Sequence, residues 1–186
     1  MLAAAFQTAV ARSDWAAAVA ALDGLIALAP SASLSYNKAV ALRRAGRAVE
    51  AAEAARTALA QDPAHGNALF ELGAALMDAG DRPGATGAFR RVLARHPGDA
   101  DARTNLAALQ VAAGEPSEAL AVLGDVGGAE AEQTRAAAWR DLGDLDAADR
   151  HMAALPAATA LKIATQGATG RIPLDVRRWR PGQGVP

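Results

Sequence analysis

GNALFELGAALMDAGDRPGATGAFRRVLARHPGD, residues 66–99, decides how the chain is read. Its first half places Leu69, Leu72, Gly73 and Leu76 three or four residues apart, the period of one helix face. Gly80 then interrupts, a residue that permits a left-handed helix end. Asp81 and Pro83 follow, suited to the cap and first turn of a new helix. Ala85 and Phe89 open that second helix, which stops before Pro97. The stretch predicts two short antiparallel helices joined by a tight turn.

The same grammar recurs outward in both directions. Gly46, Gly80 and Gly114 are each 34 residues apart, and Gly143 follows after 29. Ser13 stands where an earlier glycine would fall. Pro30, Pro63 and Pro97 close the phrases LIALAP, ALAQDP and VLARHP. Ala18, Ala51, Ala85, Ala119 and Ala148 each follow a turn by five residues, small enough to let two helices approach closely. Asp14, Asp81, Glu115 and Asp144 follow the turns as caps or first-turn acids, with Arg47 the exception. One hairpin cannot bury its apolar faces, so such units must stack.

This pattern resembles the tetratricopeptide repeat, with Leu69, Leu72, Gly73, Leu76, Gly80, Ala85, Phe89 and Pro97 at the family's characteristic positions. The resemblance covers residues 1–156 as about five units, over 1–31, 32–65, 66–99, 100–128 and 129–156. The fourth unit loses its second helix early, at Gly124, and the fifth carries Trp139 as the large residue of its first helix. The implied fold is all-α, a right-handed superhelical solenoid. AATALKIATQ predicts a capping helix over 157–167. Residues 168–186 predict an extended basic tail.

Composition agrees. Over half of the 186 residues are apolar but only 4% are aromatic, and alanine, the best helix former, supplies most of the difference. The net charge of −1 argues against bulk affinity for nucleic acid or membranes. It conceals a division: residues 157–186 net +4 and residues 1–156 net −5. Without cysteine there are no disulfides, thiolate metal sites or cysteine nucleophiles. No apolar run is long enough for a membrane helix, and the N-terminal residues lack a basic leader pattern, so a cytoplasmic protein is expected.

Catalytic constellations are not found. His65 and His96 fall at turns between units and His151 on a second helix, with no one-turn pairing between them. Asp141, Asp144, Asp146 and Asp149 lack the order of a calcium loop. The expectation is a non-enzymatic chain with no cofactor and no metal.

The resemblance implies a groove lined by first helices. Unit by unit it is carried by Tyr36, Asn37, Val40, Arg43 and Arg44; by Asn67, Phe70, Met77 and Asp78; by Asp101, Thr104 and Asn105; and by Gln133, Arg140 and Asp141. Asn37 and Asn105 take a position whose amide, in the family, often bonds a bound peptide backbone; the other reading is that they serve only their own repeats. The expected function is a scaffold that binds a peptide or partner protein in this groove. The alternative is an accessory that positions a substrate for a separately encoded enzyme, the partner then being an enzyme subunit. A lesser alternative is nucleic-acid or acidic-surface binding through Arg177, Arg178, Trp179 and Arg180. The open ends of a repeat array also admit a homo-oligomer, with Leu2 and Phe6 on one edge.

Overall fold

A computed structural model describes residues 1–157, 159, 160 and 163. Among them are ten helices and no strand. Their order is α1 (Leu2–Ala11), α2 (Trp15–Leu28), α3 (Ala32–Arg44), α4 (Ala48–Gln61), α5 (Gly66–Asp78), α6 (Arg82–Arg95), α7 (Ala100–Ala113), α8 (Pro116–Leu123), α9 (Ala129–Asp141) and α10 (Leu145–Met152). Two compact units divide at Pro97 and Gly98. The first contains α1 to α6 and the second α7 to α10. Consecutive helices pack as pairs, and first helices also touch, α3 on α5 in one unit and α7 on α9 in the other.

The turns explain the glycine spacing. Gly46, Gly80, Gly114 and Gly143 all adopt positive φ, from 76° to 84°. Ser13 does the same at 54°, without a glycine's freedom. At each turn the following amide bonds back across the helix end. Asp14 N donates to Ala9, Arg47 N to Leu42, Asp81 N to Leu76, Glu115 N to Gln110 and Asp144 N to Trp139. This closure satisfies carbonyls that a helix end leaves bare. The second helices then start on side-chain caps at Asp14, Asp81 and Asp144, whereas Arg47 and Glu115 make none.

Small residues set the crossing distances. Ala18, Ala51, Ala85, Ala119 and Ala148 are all fully buried. At Gly73 the packing is closer still. A Cβ there would lie 2.9 Å from Cε1 of Phe89, so α5 and α6 cross where only glycine fits. Phe89 is fully buried and meets Phe70 edge to face, with centroids 5.5 Å apart.

The second unit is built more sparingly. Its core gathers Ala107, Val111, Ala119, Leu123, Ala131 and Ala138, and α8 ends at Gly124 after eight residues. Arg135 of α9 compensates. Its Nη2 donates to the carbonyls of Gly124, 3.0 Å, and Val126, 2.9 Å, and so ties down the loop that replaces the missing turns. Past Pro156, residues 157, 159, 160 and 163 are helical, and Thr159 and Ala160 donate to the Pro156 carbonyl. The rest of the capping helix expected over 157–167, and the tail expected over 168–186, lie outside the described residues. No helix among the described residues is long and apolar enough to cross a membrane.

Candidate peptide-binding surface

In the first unit the expected surface comes from α3 and α5. Tyr36, Asn37, Val40 and Arg43 are half-buried on α3, and Arg44 is exposed. On α5, Phe70 and Met77 are half-buried while Asn67 and Asp78 are exposed. The two helices are joined by a charge bridge. Arg43 Nε lies 2.5 Å from Glu71 Oε1, its Nη2 3.4 Å from Glu71 Oε2, and its Nη1 3.5 Å from Asp78 Oδ2. Burial disfavours the Arg43 cation, but the hydrogen bond and charge of Glu71, with Asp78, outweigh it and raise its pKa.

Glu71 is the residue that spacing alone did not single out. It is only 5% exposed, a carboxylate on the side of α5 that faces Arg43 of α3. A single charge within the otherwise apolar run 68–77 was the available signal, since such a group is buried only with a partner. Arg43 is thereby committed to the scaffold rather than open to a ligand. His65 also has a structural part. Its Nδ1 accepts from Ala68 N at 3.1 Å and caps α5, and its ring lies against Tyr36 with centroids 5.1 Å apart.

The asparagines differ from these. Among the described residues, Asn37, Asn67 and Asn105 make no side-chain hydrogen bond, and each is exposed or half-buried. Their amides can therefore still give one N–H pair and one oxygen to an incoming backbone.

The second unit presents a smaller surface. Asp101 and Gln133 are exposed and Asn105 is half-buried. Thr104 turns inward, its hydroxyl donating to the Ala100 carbonyl at 2.9 Å, and so does not line the surface. Arg140 is also removed. Only 4% exposed, it pairs with Asp141 and donates from Nη1 to the carbonyl of Ile163. Arg177, Arg178, Trp179 and Arg180 lie outside the described residues.

A separate open cleft of about 320 Å³ lies between α2, α3 and α4, with Ile26, Leu42 and Val49 among its walls. Its charged rim is already matched within the chain. Lys38 meets Asp23 at 2.5 Å, Glu50 meets Arg47 at 2.5 Å, and Glu53 pairs with Arg56.

Two family models described as tetratricopeptide repeat match residues 3–66 and 76–140, together more than half of the chain. No curated protein matches the sequence. Among solved structures, MamA 41-end from Desulfovibrio magneticus RS-1 superposes with TM-score 0.74 at 18% identity, covering 87% of this chain and 92% of that one. PilW, described as a widely conserved type IV pilus biogenesis factor, gives 0.69 at 21% identity over 82% and 74%. YrrB, described as a TPR protein with an unusual peptide-binding site, gives 0.65 at 19% identity over 85% and 82%. At these identities the likeness is one of fold.

Proposed function

Because the chain belongs to the tetratricopeptide-repeat family and is thereby a protein–protein interaction scaffold, we propose that it holds an extended segment of a partner protein on the first-helix surfaces of its units. The main site is the α3–α5 surface. The observation that carries this reading is the unengaged amides of Asn37, Asn67 and Asn105. An asparagine that served only its own repeat would bond a neighbouring backbone or side chain, as Thr104 does. These three do not; Asn37 and Asn67 share α3 and α5 with Tyr36, Phe70 and Met77, which offer apolar contact, and Asn105 stands on α7 of the second unit.

In the first unit the Arg43–Glu71 bridge and the Phe70–Phe89 contact fix α3, α5 and α6 against one another. Rigid presentation lowers the ordering cost of binding, and a few polar contacts then set register. An enzyme subunit is one partner of this kind, and a cytoplasmic location fits the same reading.

The test is capture of a partner with purified full-length protein and with Asn37→Ala and Asn105→Ala variants. Both substitutions leave the Arg43 bridge and the aromatic contact in place. Loss of partner recovery with unchanged circular dichroism is the expected result. Undiminished recovery would overturn the surface assignment.

A further inference from the structure

The second helices of the first unit treat their arginines differently. On α4, Arg47 pairs with Glu50 and Arg56 with Glu53, each within one turn. On α6, Arg82, Arg90, Arg91 and Arg95 are all exposed, and among the described residues none pairs with an acid. Arg91 and Arg95 stand four apart, where like charges repel on a helix surface. The only acid at this helix, Asp81, is engaged as its cap through Gly84 N at 2.9 Å. The helix keeps an unmatched positive face at a cost to its own stability.

Gly87 is a second, independent oddity on that face. It is exposed in mid-helix, and a Cβ there would meet nothing within 4 Å. A glycine inside a helix is less favourable than alanine. Gly73 has Phe89 to explain it and Gly84 has Asp81, but nothing among the described residues requires Gly87. With exposed Ala94 two helical turns further on, it leaves a shelf flanked by Arg90, Arg91 and Arg95, low enough for another helix to approach closely.

The complementary surface is on the same chain. Residues 98–156 carry eleven carboxylates against four arginines, a net of −7. Glu115 and Glu118 at the start of α8 are exposed and without an ion pair among the described residues, and Glu115 makes no side-chain cap bond. The outward residues between and beyond them are Ser117 and Ala121, again small. We infer that the arginine face of α6 docks the acidic start of α8 of a second copy of this chain. Nucleic acid fits less well, because the net −7 of residues 98–156 would repel a polyanion. This contact uses a different surface from the peptide site and stands or falls apart from it.

The experiment is sedimentation of the full chain over a range of concentrations, at about 0.05 M and about 0.5 M salt. Association at low salt that weakens at high salt is expected. Arg90→Glu, Arg91→Glu and Arg95→Glu together, and separately Glu115→Lys with Glu118→Lys, should each raise the dissociation constant at least tenfold, with helix content unchanged. Mixing the two charge-reversed proteins should restore association. Gly87→Leu should weaken it without altering any charge. A protein monomeric at every concentration in low salt overturns the inference. So does association that the arginine variant leaves intact, or that the Glu115 and Glu118 variant leaves intact. If the arginine face instead retains a duplex DNA probe while the chain stays monomeric, the surface belongs to another ligand and the inference fails.

Discussion

Arg43 on α3 and Glu71 on α5 meet at two points, Nε to Oε1 at 2.5 Å and Nη2 to Oε2 at 3.4 Å, with Glu71 almost wholly buried. The geometry is that of a fork on a carboxylate, which fixes direction as well as distance. It locks two neighbouring first helices in register beneath the candidate peptide surface.

The two partners should respond unequally to substitution. Arg43→Ala leaves Glu71 buried without its cation and should cost about 2–3 kcal/mol, a value between exposed and fully buried pairs because the Arg43 side chain is partly in water. Glu71→Leu frees an arginine that can turn to solvent and still reach Asp78, so it should cost less. The double variant Arg43→Met with Glu71→Leu should recover most of the loss. Urea unfolding of the four proteins checks this. Equal costs for both single variants would mean that the bridge is not what holds α3 to α5.

Gly73 gives a steric counterpart. A methyl group at this position must push against Phe89, which is fully enclosed and cannot yield. Gly73→Ala should therefore destabilise by about 1–3 kcal/mol despite alanine's better helix propensity. Phe89→Leu in the same background should return part of the loss. Chemical unfolding of the single and double variants measures the coupling.

The turn at Ser13 predicts an improvement instead. Its φ of 54° is the region that the other four turns fill with glycine. A non-glycine residue there carries about 1–2 kcal/mol of strain. Ser13→Gly removes that strain but loosens the unfolded chain, so a net gain of about 0.5–1 kcal/mol is expected. Gly80→Ala should lose a similar amount. Thermal unfolding of both proteins decides it.

These positions also show which features were legible in the sequence. Gly80, Asp81 and the alanine five residues beyond each turn announce themselves, because turn and close-approach chemistry is local and repeats. Glu71 is another matter. Its partner Arg43 lies 28 residues away, and the repeat step alone does not say which of several charges will meet across two helices. Thr104 and Arg140 mislead in the opposite way. Their register predicts exposure, but a threonine can bond its own preceding turn, and Arg140 pairs with Asp141 and donates to the carbonyl of Ile163. His65 stands at a turn in sequence and is also a cap, since an imidazole nitrogen can accept as an aspartate oxygen does.

The Arg47–Glu50 pair supplies a pH signature. The hydrogen bond from Arg47 holds the Glu50 carboxyl below its ordinary pKa, against desolvation, with the Arg47 charge adding to it. A carboxyl whose pKa is depressed in the folded state contributes stability above its unfolded pKa. That contribution is lost as pH falls through the lower folded value. Both side chains are exposed, so the effect on global stability should be small and salt-sensitive. Carbon-detected titration of the Glu50 carboxyl should show its midpoint rising towards that of an ordinary glutamate in Arg47→Ala. An unmoved midpoint would remove Arg47 as the cause.

Arg135 carries the last prediction. The short α8 leaves the loop after Leu123 with carbonyls that no helix turn satisfies, and Arg135 reaches two of them from α9. Arg135→Met keeps the apolar stem but removes both donors. Its acidic neighbour Glu132 is not stranded by the change, because Glu132 Oε2 also lies 2.7 Å from His151 Nδ1. The loss should therefore reflect the carbonyl contacts, about 2 kcal/mol for charge-assisted bonds in a mostly buried setting. Because stability in stacked repeats is set largely by each unit and its neighbours, the damage should be local. Hydrogen exchange should accelerate at Val126, whose amide bonds Leu123, and in α8, while α3 to α6 keep their protection. Uniform acceleration across both units would show instead that Arg135 supports the whole array.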